Sequence, residues 1–404
     1  MNILHINRFD IGDGAGIAAY RLHQGLLAQA FNSRLLVGRS TISDDKIASI
    51  PDKYGIVTKL NQQMWRLGLS NISVLNTFDI HKHIFYQEAD ILNFHSLLSG
   101  YFNYLAIPSL TVNKPSILTL HDMWSFTGHC CYSYECDRWQ NGCGKCPYPD
   151  DFPAIGMDNT HIEWKLKNWA YSRSKLTIVA PSNWLMKQAQ KSILNRFSIY
   201  HIPHGIDTQA YQPLDTKRCR SILGIPLGKK VLMFGAIHLN DSRKGGDLVL
   251  KALQSLPKSL KAETVLLIMG NTGNTISQAV GMPTLNLGYL SNDRIKSIAY
   301  SAADLFLFTS RAEAFGLVAQ EALSCGTPIV AFNVGGIPDL VRPGVTGYLA
   351  EPENVQDLCN GIIKLLEDEK LRESIAQNCR AITLKEYSLE LQAQRYIELY
   401  NKVL

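Results

Sequence analysis

Short apolar runs alternate with longer stretches of amphipathic, helical spacing along most of the chain. The apolar run at 304–309 predicts a buried strand, and apolar residues recur with helical spacing from Leu317 to Ser324. That helical pattern stops at Cys325 and Gly326, with Pro328 just beyond, which is typical of a helix end. A second apolar run ends at Phe332. This order of strand, loop, helix and strand predicts an α/β fold with a parallel sheet.

The same alternation extends over the rest of the chain. A chain of 404 residues exceeds what one hydrophobic core usually serves, so two domains are expected. The segment 203–207, with Pro, Gly and Asp, predicts the linker between them. The other predicted strands lie at 2–7, 33–38, 89–95, 115–120, 176–180 and 198–202 before the linker, and at 230–235, 264–270 and 285–290 after it.

Two glutamates frame the loop and helix that follow the strand at 304–309. Glu313 lies in the loop at the carboxyl end of the strand, where open α/β sheets bind ligands, and Glu321 lies about one turn into the helix. Main-chain N–H groups at the start of that helix could hold a phosphate, and Glu321 could accept hydrogen bonds from ribose. Taken alone, two glutamates at this spacing are common on exposed helices. The amides concerned belong to Ala314, Phe315, Gly316 and Leu317.

The residues around these glutamates form a longer pattern. Glu313-Ala-Phe-Gly-Leu with Glu321, the following Ala-Leu-Ser-Cys-Gly-Thr-Pro-Ile-Val and then Gly335-Gly-Ile-Pro-Asp339 resemble the donor-site motif of the retaining nucleotide-sugar glycosyltransferases of family four. The resemblance implies the GT-B fold, in which two doubly wound Rossmann-like domains face each other across a cleft. It implies an acceptor domain at 1–205, a donor domain at 206–385 and a helix at 386–404 that returns to the first domain.

Further donor-binding positions are predicted at two other loops. Gly14 and Gly16 follow the first strand and permit close backbone approach, although the third glycine of the dinucleotide fingerprint is missing. In the resembled family the corresponding loop faces the donor. The family also contacts the nucleotide base largely through backbone groups at the turn that here holds Tyr289 and Leu290.

A basic loop, with Arg243 and Lys244, precedes two glycines after the strand at 230–235. Close backbone approach and two positive charges suit a diphosphate, whereas a solvated pair of basic residues is the ordinary alternative. Family members commonly carry an arginine directly after the strand's glycine, but Ala236 follows Gly235 here. Lys244 is therefore predicted as a catalytic residue together with Glu313, and Arg243 as a replacement whose role stays open.

Two predicted strands of the first domain, at 89–95 and 115–120, each lead into a histidine. The second histidine, His121, lies at a strand's carboxyl end and is followed by Asp122. A histidine at such a point is most often a structural hydrogen-bonding residue. The resemblance implies that His121 contacts the transferred sugar, with Asp122 orienting it or helping to form the turn.

A cysteine-rich insertion at about 128–148 interrupts the α/β pattern. It resembles an insertion in a subset of family-four enzymes associated with exopolysaccharide assembly. The spacing ends in Cys-Gly-Lys-Cys, which can aim two thiolates at one ion, so a structural zinc is expected. Cys131 and His129 are alternates, and buried free thiols or disulfides remain open readings. The expected zinc ligands are Cys130, Cys136, Cys143 and Cys146.

Composition adds modest constraints. With 46% hydrophobic and 19% charged residues the chain has an ordinary globular composition, and no apolar run approaches the ~20 residues that span a bilayer. The chain begins directly with a predicted strand, without an export signal, so we expect a cytoplasmic protein.

The net charge of +5 does not suggest nucleic acid as a partner. Its basic excess before Pro203 fits an anionic acceptor, peripheral contact with the inner face of a membrane, or a solvated surface. The predicted helical stretch at 56–69, with Trp65, leaves acceptor contact, membrane contact and packing open.

The expected function is transfer of a sugar, with retention at the anomeric carbon, from a nucleoside-diphosphate sugar to a hydroxyl of a glycan or lipid-linked acceptor. The sequence has no Asp-any-Asp triplet, so no catalytic cofactor and no metal at the diphosphate are expected. The alternatives are an epimerase or a phosphorylase on the same scaffold, or a non-catalytic partner that uses the cysteine-rich module.

Overall fold

The computed structural model of the chain describes residues 1–51, 63–69, 71–238, 241–271 and 279–404. These residues form two compact units: Met1–Gly205 with Leu389–Leu404, and Ile206–Ser388. The predicted helical stretch at 56–69 lies partly outside the described residues, and its described part has a helical turn at 63–66. There Trp65 is half-exposed, and its indole N–H donates to the carbonyl of Ala154.

The described part of unit 1 contains a parallel sheet of seven strands, in the order β3-β2-β1-β4-β5-β6-β7. The order reverses between β1 and β4, and such a switch point is where open α/β sheets bind ligands, beyond the carboxyl ends of the strands. The strands are β1 (Asn2–Phe9), β2 (Asn32–Arg39), β3 (Ile47–Ser49), β4 (Ile91–Phe94), β5 (Ser116–Thr119), β6 (Thr177–Ala180) and β7 (Ile199–His201).

Helices cover the sheet of unit 1, and every residue of β4 and β5 is buried, as expected for parallel strands that are covered on both faces. The α-helices are α1 (Gly14–Ala28), α2 (Ile84–Glu88), α3 (Ile107–Thr111), α4 (Thr160–Tyr171) and α5 (Asn183–Gln190). The 3₁₀ turns are Leu75–Lys82, Tyr104–Ala106, Trp124–Phe126, Arg138–Gln140 and Ile193–Arg196. Ser182 caps α5, since its side chain accepts from the Leu185 amide.

Unit 2 repeats the arrangement with six described parallel strands in the order β10-β9-β8-β11-β12-β13. Its switch point lies between β8 and β11. The strands are β8 (Lys230–His238), β9 (Thr264–Asn271), β10 (Thr284–Gly288), β11 (Leu305–Phe308), β12 (Ile329–Phe332) and β13 (Gly347–Ala350). The helices are α6 (Thr216–Ile222), α7 (Gly246–Gln254), α8 (Lys258–Glu263), α9 (Asp293–Ala302), α10 (Leu317–Ser324), α11 (Ile337–Leu340), α12 (Val355–Glu367) and α13 (Glu369–Glu386), with a 3₁₀ turn at Ser242–Lys244.

The last helix, α14 (Leu389–Val403), belongs to unit 1. Its buried face joins an apolar cluster with Leu22 and Leu26 of α1. Two of its tyrosines also reach the sheet: the Tyr396 hydroxyl lies 3.0 Å from the Thr119 hydroxyl, and the Asn93 amide donates to the Tyr400 hydroxyl at 3.1 Å. The first unit is thus completed by the end of the chain.

The predicted fold class of two doubly wound α/β domains is confirmed in each unit taken by itself. Among the described residues, no helix combines the length and the apolar character needed to cross a bilayer.

Candidate functional site

The carboxyl ends of β8 and β11 bring three predicted site residues of unit 2 together. Arg243 and Lys244 lie in the turn after β8, and Glu313 lies in the loop after β11. The Lys244 ammonium donates to Glu313 Oε2 at 2.8 Å, and Arg243 Nη1 lies 3.6 Å from the same oxygen. The switch point of the sheet therefore carries two cations around one carboxylate.

Local backbone interactions hold the basic turn against β11. The Asp241 side chain accepts from the Arg243 amide at 2.9 Å and caps the turn. The Thr309 hydroxyl donates to the Lys244 and Gly245 carbonyls at 3.1 Å each. Gly245 has a φ of 69°, and a Cβ there would lie 2.1 Å from the Thr309 carbonyl oxygen. A glycine is required because both the conformation and the space exclude a side chain.

The glycine pair after β12 supports the loop that carries Glu313. The Gly336 amide donates to the Glu313 carbonyl at 2.9 Å. At Gly335, φ is 54° and a Cβ would lie 2.0 Å from the same carbonyl oxygen. The Gly-Gly-Ile-Pro-Asp part of the motif thus has a structural reason, which is the close approach of two loops.

Electrostatics keep this cluster charged. Burial alone would raise the pKa of the Glu313 carboxyl, but Lys244 and Arg243 outweigh that effect and hold the pKa below its usual value. Burial lowers the pKa of Lys244, and the Glu313 carboxylate opposes that shift. Arg243 also donates to the Ala312 carbonyl at 3.2 Å, so its guanidinium is held in place beside Lys244. Arg243 therefore lies at the predicted site, while its role in catalysis stays a prediction.

Helix α10 begins at the predicted amides and contains the second glutamate. Its N-cap residue, Gly316, has a φ of 99°, and no side chain caps the helix. Glu321 is only 3% exposed, and its Oε2 accepts from the Tyr300 hydroxyl at 3.2 Å. Sequence reasoning missed Tyr300, because nothing in the chain signals that α9 contacts α10. Ala314 and Phe315 are buried, and Leu317 is partly buried.

The other predicted donor-binding residues lie at strand ends as well. Tyr289 and Leu290 follow β10, and Tyr289 is half-exposed. In unit 1, the Gly16 amide donates to Asp13 at 2.7 Å in the first turn of α1. A Cβ on Gly16 would lie 3.1 Å from the Asp10 carbonyl oxygen, so packing inside the loop already favours glycine there. Ligand contact at Gly14 and Gly16 stays a prediction.

His121 of unit 1 is part of a row of histidines. His121 Nε2 lies 3.0 Å from His95 Nδ1, and His95 Nε2 lies 3.0 Å from His5 Nδ1. The His204 ring stacks on His121 with ring centres 5.1 Å apart. Burial lowers the pKa of His121 and of His5 to about 3 and that of His95 well below its usual value. These rings are therefore neutral at pH 7.

Asp122 fixes the turn and does not orient His121. Its Oδ1 accepts from the Trp124 amide at 2.8 Å, and in the described residues it makes no hydrogen bond with His121. Burial raises the pKa of Asp122 to about 6. The orienting partner of His121 is His95, which sequence reasoning did not propose. The signal was present, because two adjacent parallel strands both lead into a histidine.

A buried lysine, Lys167, contacts the loop that follows β5. Lys167 of α4 donates to the carbonyls of Trp124 and Thr127 at 2.7 and 3.0 Å, and its ammonium lies 3.6 Å from the centre of the Trp124 ring. Burial lowers the pKa of Lys167 to about 8. Because a buried ammonium needs such partners, Lys167 ties the loop after β5 to α4.

The cysteine-rich insertion lies between β5 and α4, and its thiols are not in disulfides. His129 Nε2 lies 3.1 Å from Cys146 Sγ, and the Gly128 amide donates to Cys143 Sγ at 3.2 Å. Burial raises the pKa of Cys130 to about 12, and the other thiols add to the shift. Nowhere in the described residues do three or more His, Cys, Asp or Glu side chains form a group arranged to hold a metal ion. The zinc ligands stay a prediction.

Comparisons with known proteins support the assignment of the two units. Residues 12–210 match the model of Glycosyltransferase Family 4, and residues 216–381 match that of Glycosyl transferases group 1. The chain is a glycosyltransferase of the GT-B fold. The enzyme is 26% identical, over the full length of both chains, to a protein named as a colanic acid biosynthesis glycosyl transferase, WcaC of Escherichia coli K12.

Solved structures show the same fold. Sucrose-phosphate synthase from Thermosynechococcus elongatus superposes with a TM-score of 0.74 at 17% identity, covering 100% of this chain and 99% of that one. HepE of Anabaena, solved in complex with UDP-glucose, superposes with a TM-score of 0.66 at 17% identity and covers 100% of both chains. These likenesses show the fold, and the two family models favour a transferase over an epimerase or a non-catalytic partner.

Proposed function

We propose that the enzyme transfers a sugar from a nucleoside-diphosphate sugar to a hydroxyl of a glycan or lipid-linked acceptor, with retention at the anomeric carbon, in exopolysaccharide biosynthesis. The observation that carries this proposal is the Lys244–Glu313 contact of 2.8 Å at the switch point of unit 2, with Arg243 beside it. Two positive charges beyond parallel strand ends suit a diphosphate, whose leaving charge they would stabilise.

The glutamates have different surroundings, which supports different roles. Glu321 is buried within α10 and accepts from Tyr300, so it is a rigid acceptor suited to ribose hydroxyls. Glu313 lies in the loop and is bound to two cations, so it is suited to the sugar and to holding Lys244 in place. We assign His121 to the transferred sugar.

The donor and pathway classes are supported by relatives. HepE binds UDP-glucose and WcaC is named for colanic acid biosynthesis, so a UDP-sugar is the first donor to test and an exopolysaccharide or its lipid-linked precursor the first acceptor. We propose that no metal is needed at the diphosphate, because Arg243 and Lys244 supply the positive charge. We place the reaction in the cytoplasm, with peripheral contact at the inner face of the membrane when the acceptor is lipid-linked.

The test is a thermal-shift screen of nucleoside diphosphates and nucleotide sugars, followed by turnover of the best ligand with and without EDTA. A ligand that binds only the folded state raises its apparent stability, by about 2.7 kcal/mol at a hundredfold excess over Kd. We expect one nucleoside diphosphate to raise Tm and EDTA to leave turnover unchanged. Absence of any shift would refute the donor assignment, and loss of turnover with EDTA would refute metal independence.

A further inference from the structure

The histidine row of unit 1 has a property that a single catalytic histidine lacks. His5 lies on β1, while His95 and His121 directly follow β4 and β5 with one intervening residue at most. The two N···N distances are both 3.0 Å, so both contacts are hydrogen bonds. His95 uses both of its ring nitrogens in this way.

Each contact needs one donor and one acceptor. A neutral imidazole carries one N–H and one bare nitrogen, and the three rings are neutral at pH 7. If His95 accepts from His5, it must donate to His121, and the reverse holds if it donates to His5. The proton positions on the three rings are therefore linked. The histidine row has two states, in which both hydrogen bonds run either from His5 towards His121 or from His121 towards His5.

The buried end of the histidine row, His5, determines which of the two states is favoured. His5 is fully buried, and its Nε2 has no hydrogen-bond partner among the described residues. In one state this atom is a bare nitrogen, and in the other it is an N–H without an acceptor. A buried unpaired N–H is rarer than an under-satisfied acceptor, so the first state is favoured. In that state His5 Nδ1–H donates to His95, and His95 Nδ1–H donates to His121 Nε2.

The other end of the histidine row is His121. Its ring is partly exposed, and in the described part of the chain its Nδ1 has no protein partner. The His204 ring stacks on the His121 ring with an interplanar angle of 15°. The favoured state therefore places the free N–H of His121 on Nδ1, at the carboxyl end of β5.

We propose that His5 and His95 are positioning residues that hold His121 in the Nδ1–H tautomer, so that His121 acts as a hydrogen-bond donor. That the recipient is a hydroxyl of the transferred sugar rests on the function proposed above. The tautomer itself does not rest on it. A fixed donor costs no reorganisation at the moment of reaction, which is how oriented groups contribute to catalysis.

The direct test is ¹⁵N NMR of the full chain labelled at its histidine rings, with signals assigned through single substitutions. We expect His121 to show a protonated Nδ1 and a bare Nε2 at pH 7. In His95→Phe the linkage is lost and the Nε2–H form should become populated. In His95→Asn the side-chain amide lies near the position of the former Nδ1 and can still donate to His121, so the Nδ1–H form should persist. A wild-type His121 protonated on Nε2 would overturn the proposal.

Turnover supplies a second measurement, with His23→Phe as the matched control. His23 is also fully buried and lies near His5, but it bonds to Ser33 and is not part of the row. We expect His95→Phe to lower kcat roughly 10- to 100-fold, as loss of an orienting partner of a histidine does, with unchanged Kd for UDP. His95→Asn should recover part of the loss, and His23→Phe should lower Tm without a comparable loss of kcat.

The NMR and turnover measurements together distinguish failure of this proposal from failure of the proposed function. Equal losses of kcat in His95→Phe and His23→Phe, with equal losses of Tm, would show a merely structural role and overturn the proposal. Absence of turnover with every nucleotide sugar would refute the proposed function, while the wild-type NMR signal would still decide the tautomer.

Discussion

Replacing Lys244 by Met tests the cation of the unit 2 site while retaining most of the side-chain volume. The change removes the ammonium that lies 2.8 Å from Glu313 Oε2 and leaves Arg243 3.6 Å from the same oxygen. The Glu313 side chain is 12% exposed, so its charge stays largely out of water in the variant. Two separate effects follow, one on folding and one on catalysis.

The effect on folding is limited by Arg243. At an effective dielectric constant of about 20, the gross attraction is about 6 kcal/mol at the Lys244 distance and about 5 kcal/mol at the Arg243 distance. The variant keeps the attraction between Arg243 and Glu313, and it no longer includes the free-energy cost of burying the Lys244 ammonium. We therefore expect a net loss of about 1–2 kcal/mol, less than the 3–5 kcal/mol that follows when a buried charge loses all its partners.

The effect on catalysis should be larger. A preorganised charge removed from a developing anion typically costs a factor of about 100 to 1,000 in kcat. The assay pairs urea unfolding with turnover of the donor found by the ligand screen. Lys296→Met is the matched control, because Lys296 is 12% exposed against 22% for Lys244, lies in unit 2 and forms a 3.3 Å pair with Asp293, which is not among the predicted site residues. Similar turnover in both variants would refute the catalytic role of Lys244.

The remaining predictions concern the two glutamates and the cysteines. Glu321→Ala should weaken binding of the bare nucleoside diphosphate, whereas Glu313→Ala should lower turnover with little change in that binding; equal losses of affinity by calorimetry would contradict the division. Because the folded-state pKa of Glu313 is held below 4.5, its ionised form stabilises the fold above that pH, and this contribution is lost as the pH falls through the lowered value. Urea unfolding should thus show a weaker acid destabilisation in Glu313→Gln than in wild type, and parallel pH profiles would count against it. Elemental analysis of protein purified without added metal should find stoichiometric zinc, and its absence together with four thiols that react under native conditions would rule out a zinc site at Cys130, Cys136, Cys143 and Cys146.

Much of the fold follows from apolar runs and helix ends. Helix α10 begins and ends where the spacing predicts, because Cys325 and Gly326 stop it after an apolar face. The short edge strands β3 and β13 were not predicted, since three or four residues carry too weak a period to be separated from a loop.

The site was partly predictable for a similar reason. Strand ends can be found along a sequence, so the positions of Glu313, Lys244 and His121 beyond strand ends were predicted, while their roles stay predictions. Contacts between elements depend on register and packing, so Tyr300 beside Glu321 and His5 beside His95 were not. Glycines gave a mixed signal, because Gly16 and Gly335 are explained by close backbone approach without a ligand.

The placement of α14 affects the order in which the enzyme is assembled during synthesis. Residues 206–388 emerge from the ribosome and can form unit 2 while the first unit still lacks its final helix. Until then, the apolar face made by Leu22, Leu26 and neighbouring strands stays uncovered in the nascent chain. The tyrosines that anchor Asn93 and Thr119 are translated after unit 2, and those two residues lie just upstream of His95 and His121. Unit 1 is thus completed only after the residues of unit 2 have been made.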